Sequence, residues 1–355
     1  MKLCIIGAGV HAQNLLRRGV FPRDEVEIVA VATRHDETAQ AVALEFDLPH
    51  FFGSAEKLFR ALEAKTVEAD AVYIATPHES HAALAIRALE AGLHVLVEKP
   101  MAATSSEAWK MCAVAKSCGR TLAVDYQYRF AIEAVLEVVR SGALGTLLKV
   151  EGWWTRRYGI PDRPSFFESE AAGVGPDLLG HLLSAALPLI VQNQNPKWVL
   201  AVGSNAHGVA RFGPEFRAWD SLFTILGFDP SGLLATFKTS WATNTEVDES
   251  LGLRLEGSAA SLVVPLPSGG SEGEHLTPVL YERVGGAGGE RVDPRPLPGL
   301  PTKIECIAAV VRNWIRACRG VERLYSAPED AAAIQRILEI TKRSTDSPVR
   351  RRRAI

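Results

Sequence analysis

Along the first 123 residues the apolar positions fall into short runs separated by stretches where they recur every three or four residues. Runs at 3–6, 26–32, 71–75, 94–97 and 121–125 predict short strands buried on both faces. The intervening stretches 9–19, 37–46, 80–91 and 105–118 predict helices. Leu15 and Leu16 lie on the inner side of the first, and Ala41, Leu44 and Glu45 stand at helical spacing in the second. Ala82, Ala85, Ile86 and Leu89 share one face of the third, which Gly92 stops. Alternation of this kind implies a parallel sheet with helices on both faces.

After Tyr126 the pattern changes. A helix predicted over 130–140 is followed by strand-like runs at 146–157, 197–204, 219–228, 232–243 and 249–256. In the fourth run Ala235, Phe237, Thr239 and Trp241 alternate with Leu234, Thr236, Lys238 and Ser240, the period of a sheet with two differently packed faces. Glycine and proline crowd 265–301, which reads as loop or meander. Helices at 302–318 and 328–343 close the chain, and the basic run at 350–353 is expected to be a solvated, disordered end. The expected fold class is α/β: a doubly wound parallel sheet over 1–123, then an α/β domain over 124–355 with a large, mostly antiparallel open sheet. The C-terminal helix is free to pack back on the first domain. Both faces of 232–241 have apolar character, so the outer face is expected to pack on another subunit, giving a homodimer or homotetramer.

Length and composition narrow the class. A chain of 355 residues suggests two domains. Its hydrophobic fraction of 47% and charged fraction of 23% are those of soluble globular proteins. The formal charge of −2 gives no global field to attract nucleic acid or an anionic membrane, and neither partner is expected. No apolar run approaches the ~20 residues of a membrane span. Five scattered cysteines without a CxxC argue against a disulfide framework and a zinc ribbon, and suit a reducing cytosol. Met1-Lys2 runs straight into the first strand, leaving no room for a leader. The expectation is a soluble, cytoplasmic protein.

Gly7-Ala8-Gly9-Val10-His11-Ala12 fits G-x-G-x-x-G/A directly between a strand and a helix, the context a dinucleotide-binding Rossmann fingerprint requires. Gly7 allows the tight turn, and Gly9 lets a pyrophosphate approach the helix N-terminus, where free N–H groups favour anions. Ala12 permits close helix–strand packing. At the end of the second strand, an NAD-preferring site usually has a carboxylate for the ribose 2′-hydroxyl. Here the position holds Thr33, followed by Arg34. A hydroxyl and a guanidinium suit a 2′-phosphate, so NADP is the preferred cofactor, with NAD the alternative.

Ala75-Thr76-Pro77-His78-Glu79-Ser80-His81 follows the strand at 71–75, and Glu98-Lys99-Pro100 closes the next. Behind that glycine loop, the two segments resemble the glucose–fructose oxidoreductase/inositol dehydrogenase (Gfo/Idh/MocA) family, whose pattern has an A-T-P-x-x-x-H segment and an E-K-P tripeptide. Asp125-Tyr126-Gln127-Tyr128-Arg129-Phe130 resembles its inter-domain stretch, and Trp154-Thr155-Arg156-Arg157-Tyr158-Gly159-Ile160-Pro161 a W-x-R-R-x-G-I-P segment of some members. The resemblance is dense to about residue 181 and thereafter one of general layout. It implies an NAD(P)-dependent oxidoreductase acting on a sugar, cyclitol or related polyol. It implies that Gly7, Gly9, Val10, His11, Ala12, Thr33, Arg34, Ala75, Thr76, Pro77, His81, Glu98 and Lys99 hold the cofactor. Asp177-Leu178-Leu179-Gly180-His181 matches a family helix with Asp and His four apart, which implies catalytic roles for Asp177 and His181 beside Lys99. Substrate contacts would come from Lys99, Tyr126, Arg129, Trp154, Asp177 and His181. The chain departs from the pattern in its broken glycine cluster Gly173-Val174-Gly175, in Gly180 standing next to His181, and in Ser184 where Asp is frequent.

The chemistry of the residues agrees. Hydride transfer to or from a secondary alcohol needs a proton acceptor and a group that stabilises the developing alkoxide. Lys99, at a strand's carboxyl end, can polarise the oxygen, and His181 has the proton affinity for acid–base work. Spacing alone puts Asp177 and His181 on one helix face, where Asp177 can anchor a second hydroxyl. His78, Glu79 and His81 supply no third-ligand pattern for zinc, so no metal is expected. Trp153 and Trp241 are expected to pack, with Trp154 open between packing and a sugar platform. Two other function classes stay in view: a non-catalytic dinucleotide-binding regulator on the same scaffold, and a diverged C=N or C=C reductase.

Overall fold

Short continuous apolar runs build the first sheet. The computed structural model describes residues 1–157, 159–162, 173–190, 196–229, 231–268, 275–286, 289–345 and 352–353. Its chain divides into two compact units, Met1–Tyr126 with Ile307–Gln335, and Gln127–Cys306 with Arg336–Ile355. In the first unit the elements run β1 (Lys2–Ile6), α1 (Val10–Arg17), β2 (Glu27–Ala32), α2 (Asp36–Phe46), β3 (His50–Phe52) and α3 (Ala55–Glu63). They continue through β4 (Ala71–Ile74), α4 (His81–Glu90), β5 (His94–Val97), α5 (Ser105–Cys118) and β6 (Leu122–Val124). All pairings are parallel, in the order β3-β2-β1-β4-β5-β6. This is a doubly wound Rossmann sheet, and its direction of winding reverses between β1 and β4.

The predicted elements are present within a residue or two. The structure adds β3 and α3 between the second and third predicted strands. Three residues are too few to display a two-residue period. α3 carries a signal in Ser54, whose hydroxyl accepts the Lys57 N–H at 3.1 Å, and in the buried pair Leu58 and Phe59.

The second unit begins with α6 (Tyr128–Ala131) and α7 (Glu133–Arg140), where one helix was expected, followed by β7 (Leu147–Arg156) and α8 (Gly180–Ala186). Then come β8 (Trp198–Ser204), α9 (Ala206–Phe212), β9 (Ser221–Phe228), β10 (Leu233–Ser240), β11 (Glu249–Gly257) and β12 (Ala260–Pro265). β13 (Val279–Gly286), β14 (Gly289–Pro296), α10 (Lys303–Cys318), α11 (Pro328–Thr345) and β15 (Arg352–Arg353) complete the chain, α10 from Ile307 and α11 as far as Gln335 grouping with the first unit. The nine-stranded sheet runs β14-β13-β12-β11-β7-β10-β9-β8-β15. Only β7 and β10 pair in parallel.

The glycine- and proline-rich stretch is the meander that was one of its two expected readings: β12, β13 and β14 pair antiparallel in turn, and Pro294 and Pro296 fall on an edge strand where a missing N–H is tolerated. Two sequence expectations are corrected here. α9 was hidden by its brevity and by Gly208, whose missing side chain admits the Phe216 ring. Of the basic run expected to be disordered, Arg352 and Arg353 pair with Val199 and Trp198 at the opposite edge, and Arg350 and Arg351 lie outside the described residues.

Val150, Trp154, Leu226, Ala235, Phe237, Leu253 and Leu255 form the sheet's buried face, against which α8 packs at β7 and β11. The other face bears Val202, Phe223 and Leu234, which are 65%, 45% and 42% exposed. Register places Val202 opposite Phe223, and Phe223 opposite Lys238. No helix among the described residues is long and apolar enough to cross a membrane.

Phe237 is fully buried at the centre of this sheet. Phe237→Ala should therefore cost about 3–5 kcal/mol, the usual scale for an aromatic core truncation. Denaturant unfolding should show this loss with far-UV circular dichroism unchanged.

Candidate active site

Parallel strands end at one edge, and the residues just past those ends in the first unit include most of the predicted cofactor set. Gly7 adopts φ +91°, and a Cβ there would lie 2.5 Å from the Ala75 carbonyl oxygen, so the loops after β1 and β4 meet at the switch point. Gly9 differs: it is extended, and a Cβ on it would meet nothing within 4 Å. The N-terminus of α1 carries no acidic residue in its first turn, and Val10 and His11 are exposed there. Ala12 is buried against the sheet. An open cradle in front of uncapped helix N–H groups fits a pyrophosphate.

At the end of β2, Thr33 Oγ1 donates to the His35 carbonyl at 2.8 Å, and Arg34 is exposed. The adjacent carboxylate, Asp36, is bound to Lys57 at 2.8 Å. After β4, Thr76 and Ser80 share a hydroxyl hydrogen bond at 2.7 Å. His81 is 1% exposed, and its ring nitrogens lie 2.9 Å from the carbonyl oxygens of Thr76 and Pro100. Burial lowers its pKa. The part His81 plays is to tie the Ala75–Thr76–Pro77 loop to the turn after β5. The Lys99–Pro100 bond in that turn is cis.

Glu98 sits inside the same edge. Tyr73 Oη donates to its Oε1 at 2.6 Å, the Lys99 N–H to its Oε2 at 3.3 Å, and His11 Nε2 lies 3.3 Å from Oε1. Burial alone would raise the carboxyl's pKa, but the His11 and Tyr73 hydrogen bonds and the Lys99 charge outweigh it and hold the group at about 2. The hydrogen bond to Glu98 raises the His11 pKa. Asp125, one residue past β6, is buried next to this pair. Tyr126 is buried as well, and its hydroxyl pKa is pushed up by that burial.

The second unit gathers the remaining predicted residues. Asp177 lies in a π-helical turn, Gly175–Leu179, in which the Gly180 N–H reaches back to the Gly175 carbonyl. Pro176 stands at the start of this turn, where a missing N–H is tolerated, and α8 begins only afterwards. His181, in the first turn of α8, is 4% exposed. Its ring packs on Tyr128 at 5.4 Å and on Trp154 at 5.6 Å, and those two rings meet edge-on at 5.7 Å. Tyr128 Oη donates to the Pro267 carbonyl at 2.8 Å. Arg129 is half-buried in α6. Ser184, at the divergent position, donates to the His181 carbonyl at 2.7 Å and so faces back into its own helix.

Three further residues shape this site and were absent from the sequence-based set. Trp241 Nε1 donates to Asp177 Oδ2 at 2.9 Å, so this fully buried indole packs and also orients a carboxylate. Glu249 accepts from Trp154 Nε1 at 2.7 Å and from Arg156 Nε at 2.8 Å. Arg156 Nη1 lies 3.7 Å from Asp177, and the guanidinium stands 5.1 Å from the Trp154 ring centre. Burial raises the Glu249 pKa, but hydrogen bonds from Arg156 and Trp154 bring it below its ordinary value. The two-residue period of β7 places Trp154 and Arg156 on one face, a signal that could have found Arg156. Glu249 needs the cross-strand register, which pairs it with Arg156.

Comparisons with known proteins agree with this geometry. Residues 1–126 match a family model described as "Oxidoreductase family, NAD-binding Rossmann fold", and 132–263 match the "GFO/IDH/MocA C-terminal domain". The chain is 30% identical over 277 residues to D-glucoside 3-dehydrogenase of Escherichia coli (strain K12), covering 73% of this chain and 76% of that protein. It is 31% identical over 243 residues to trans-1,2-dihydrobenzene-1,2-diol dehydrogenase of Mus musculus, covering 68% of each. Its fold is similar to that of levoglucosan dehydrogenase in complex with NADH and levoglucosan, with a TM-score of 0.79 at 18% identity over 98% of this chain and 97% of the other.

The depressed pKa of Glu98 has a consequence for stability. A carboxyl whose folded value lies below its unfolded value of ~4.3 contributes stability above that pH and loses it as the pH falls through the folded value. The difference in melting temperature between the native chain and Glu98→Gln should therefore be full above pH ~4.3 and shrink as the pH falls to about 2. A difference that stays constant over that window would contradict the assignment. Asp125, raised well above its ordinary value chiefly by burial and next by the Glu98 charge, acts in the opposite sense. Its contribution is present at low pH and is lost as pH rises through its folded value.

Proposed function

The chain belongs to the Gfo/Idh/MocA family of oxidoreductases, and we propose that it transfers hydride between NADP(H) and a secondary alcohol or ketone of a sugar, cyclitol or related polyol. The observation that carries the dinucleotide part is the open cradle at Gly9, at the sheet's switch point and before an uncapped helix. The glucoside and dihydrodiol dehydrogenases among its relatives support a substrate with a ring hydroxyl.

In this reading Gly7, Gly9, Val10, His11 and Ala12 receive the pyrophosphate, Ala75, Thr76 and Pro77 line the crevice, and Thr33 with Arg34 meets the 2′-phosphate. The bound nicotinamide supplies the hydride donor or acceptor. Lys99 polarises the reacting oxygen through its ammonium, and His181 takes or returns the hydroxyl proton. The aromatic walls of Tyr128 and Trp154 fix the His181 ring plane. Asp177, held by Trp241 and facing Arg156, anchors a neighbouring hydroxyl. Tyr126 and Arg129 belong to the proposed substrate contacts, as does Trp154. No disulfide joins the five cysteines, three of which are buried, in keeping with the proposed reducing cytoplasm. The exposed row of Val202, Phe223 and Leu234 supports a homodimer or homotetramer through the second sheet.

The test is a panel of sugars, cyclitols and their keto forms, followed by nicotinamide absorbance with NAD(H) and NADP(H). On the substrate it finds, Lys99→Ala should lose turnover by several orders of magnitude with dinucleotide affinity kept. His181→Ala should cost roughly 10²–10⁴-fold. Near-native turnover in Lys99→Ala would show that these roles are wrongly assigned. For the cofactor, NADPH should bind more tightly than NADH, and Arg34→Asp should reverse the order. Equal affinities in the native chain would remove the NADP preference. For assembly, light scattering at micromolar concentration should give a multiple of the chain mass, and a strict monomer would contradict it.

A further inference from the structure

Behind the glycine loop, Glu98, Asp125 and His11 form a cluster of titratable groups whose protonation the cofactor reading does not address. Their ligand atoms all lie within 4.8 Å of one another. Glu98 and Asp125 are 9% and 3% exposed, whereas the His11 side chain is 56% exposed and reaches solvent. The two carboxyls are provided for unequally. Glu98 receives the Tyr73 hydroxyl, the Lys99 N–H and His11. Asp125 Oδ1 is buried and meets no hydrogen-bond donor among the described residues. Two adjacent buried carboxylates repel, and the one with fewer donors keeps its proton. The charged and titratable groups facing the pair are His11, Lys99, Tyr73 and, on the Glu98 side, His81. Burial, then the Glu98 charge, pushes the Asp125 pKa well up, against the opposing pull of His11 and Lys99.

We propose that Asp125 is held as the neutral acid, donating its proton to Glu98, and that Asp125, Glu98 and His11 form one proton-sharing unit that exchanges with solvent at His11. A proton that leaves Asp125 is replaced through Glu98 from the His11 imidazolium, and His11 regains one from water. Each step moves one proton and no electrons. The unit belongs to the free protein, before a dinucleotide covers the glycine loop, and does not rest on the dehydrogenase reading.

The experiment is a histidine NMR titration of the full chain, with His11 identified by the signal missing from His11→Asn. His11 should titrate above the ordinary ~6.5. Glu98→Gln should lower that value, whereas Asp125→Asn, which mimics the neutral acid, should leave it in place. At neutral pH the infrared spectrum should contain the carbonyl stretch of a protonated carboxylic acid, and Asp125→Asn should abolish it. Absence of that band from the native chain overturns the proposal without any variant needing to fold. So does an Asp125→Asn substitution that lowers the His11 value as far as Glu98→Gln does. Saturable shifts of the His11 signals on adding Zn²⁺ or Mg²⁺ alone would assign the three residues to a cation instead. A chain inactive on every polyol, yet carrying the expected NMR and infrared signals, would fail the dehydrogenase reading alone.

Discussion

One ionised carboxylate, Glu98, inside the carboxyl edge of a parallel sheet sets the terms for everything around it in the first unit. An unpaired buried carboxylate is unstable by several kcal/mol, so the surrounding residues must supply donors and counter-charge. Tyr73 reaches it from β4, His11 from the helix after the glycine loop, and the Lys99 N–H from the next residue in the chain. Satisfying Glu98 thereby fixes the loop that faces the dinucleotide and the backbone that bears Lys99. His81 completes the frame by bonding the Thr76 loop and the Pro100 turn at once. Removing either frame residue would shift the glycine loop or Lys99 before it touched the reaction.

The second unit solves the same problem with different residues. Asp177 is fixed by an indole N–H and faces a guanidinium, and that guanidinium is oriented by Glu249 and by the Trp154 ring. His181 is enclosed by two aromatic rings on a helix whose residues are all buried. Side chains held by packing on helices and strands keep their geometry better than side chains on a loop.

Much of this was legible in the sequence, for physical reasons. Buried parallel strands must be apolar throughout, so β1, β2, β4 and β5 stood out. The glycine loop could be read because only a small residue fits where Gly7 meets Ala75. The Asp177/His181 pair came from the family resemblance, with the spacing setting both on one helix face, and the structure opens that helix with a π turn. What escaped was non-local. Arg156 and Glu249 are 93 residues apart and meet only through the register of β7 and β11. Trp241 looks like any core indole until its N–H is followed to Asp177. The pairing of Glu98 with Asp125 depends on β5 and β6 being neighbours, which no local pattern encodes. For β13 and β14 the glycines and prolines left loop and meander both open, because an edge pair can tolerate residues that a central strand cannot.

The central claim is that the glycine loop is shaped for a dinucleotide and not merely for a tight turn. Gly9 separates the two, because its backbone is extended and a side chain there would strike nothing in the protein. The direct measurement is the dissociation constant of NADPH, by fluorescence titration, for the native chain and for Gly9→Val, with melting temperatures taken alongside. Binding by the native chain, and its loss in a variant that melts at nearly the same temperature, is the predicted result. Gly9→Val binding NADPH as tightly as the native chain would contradict the account.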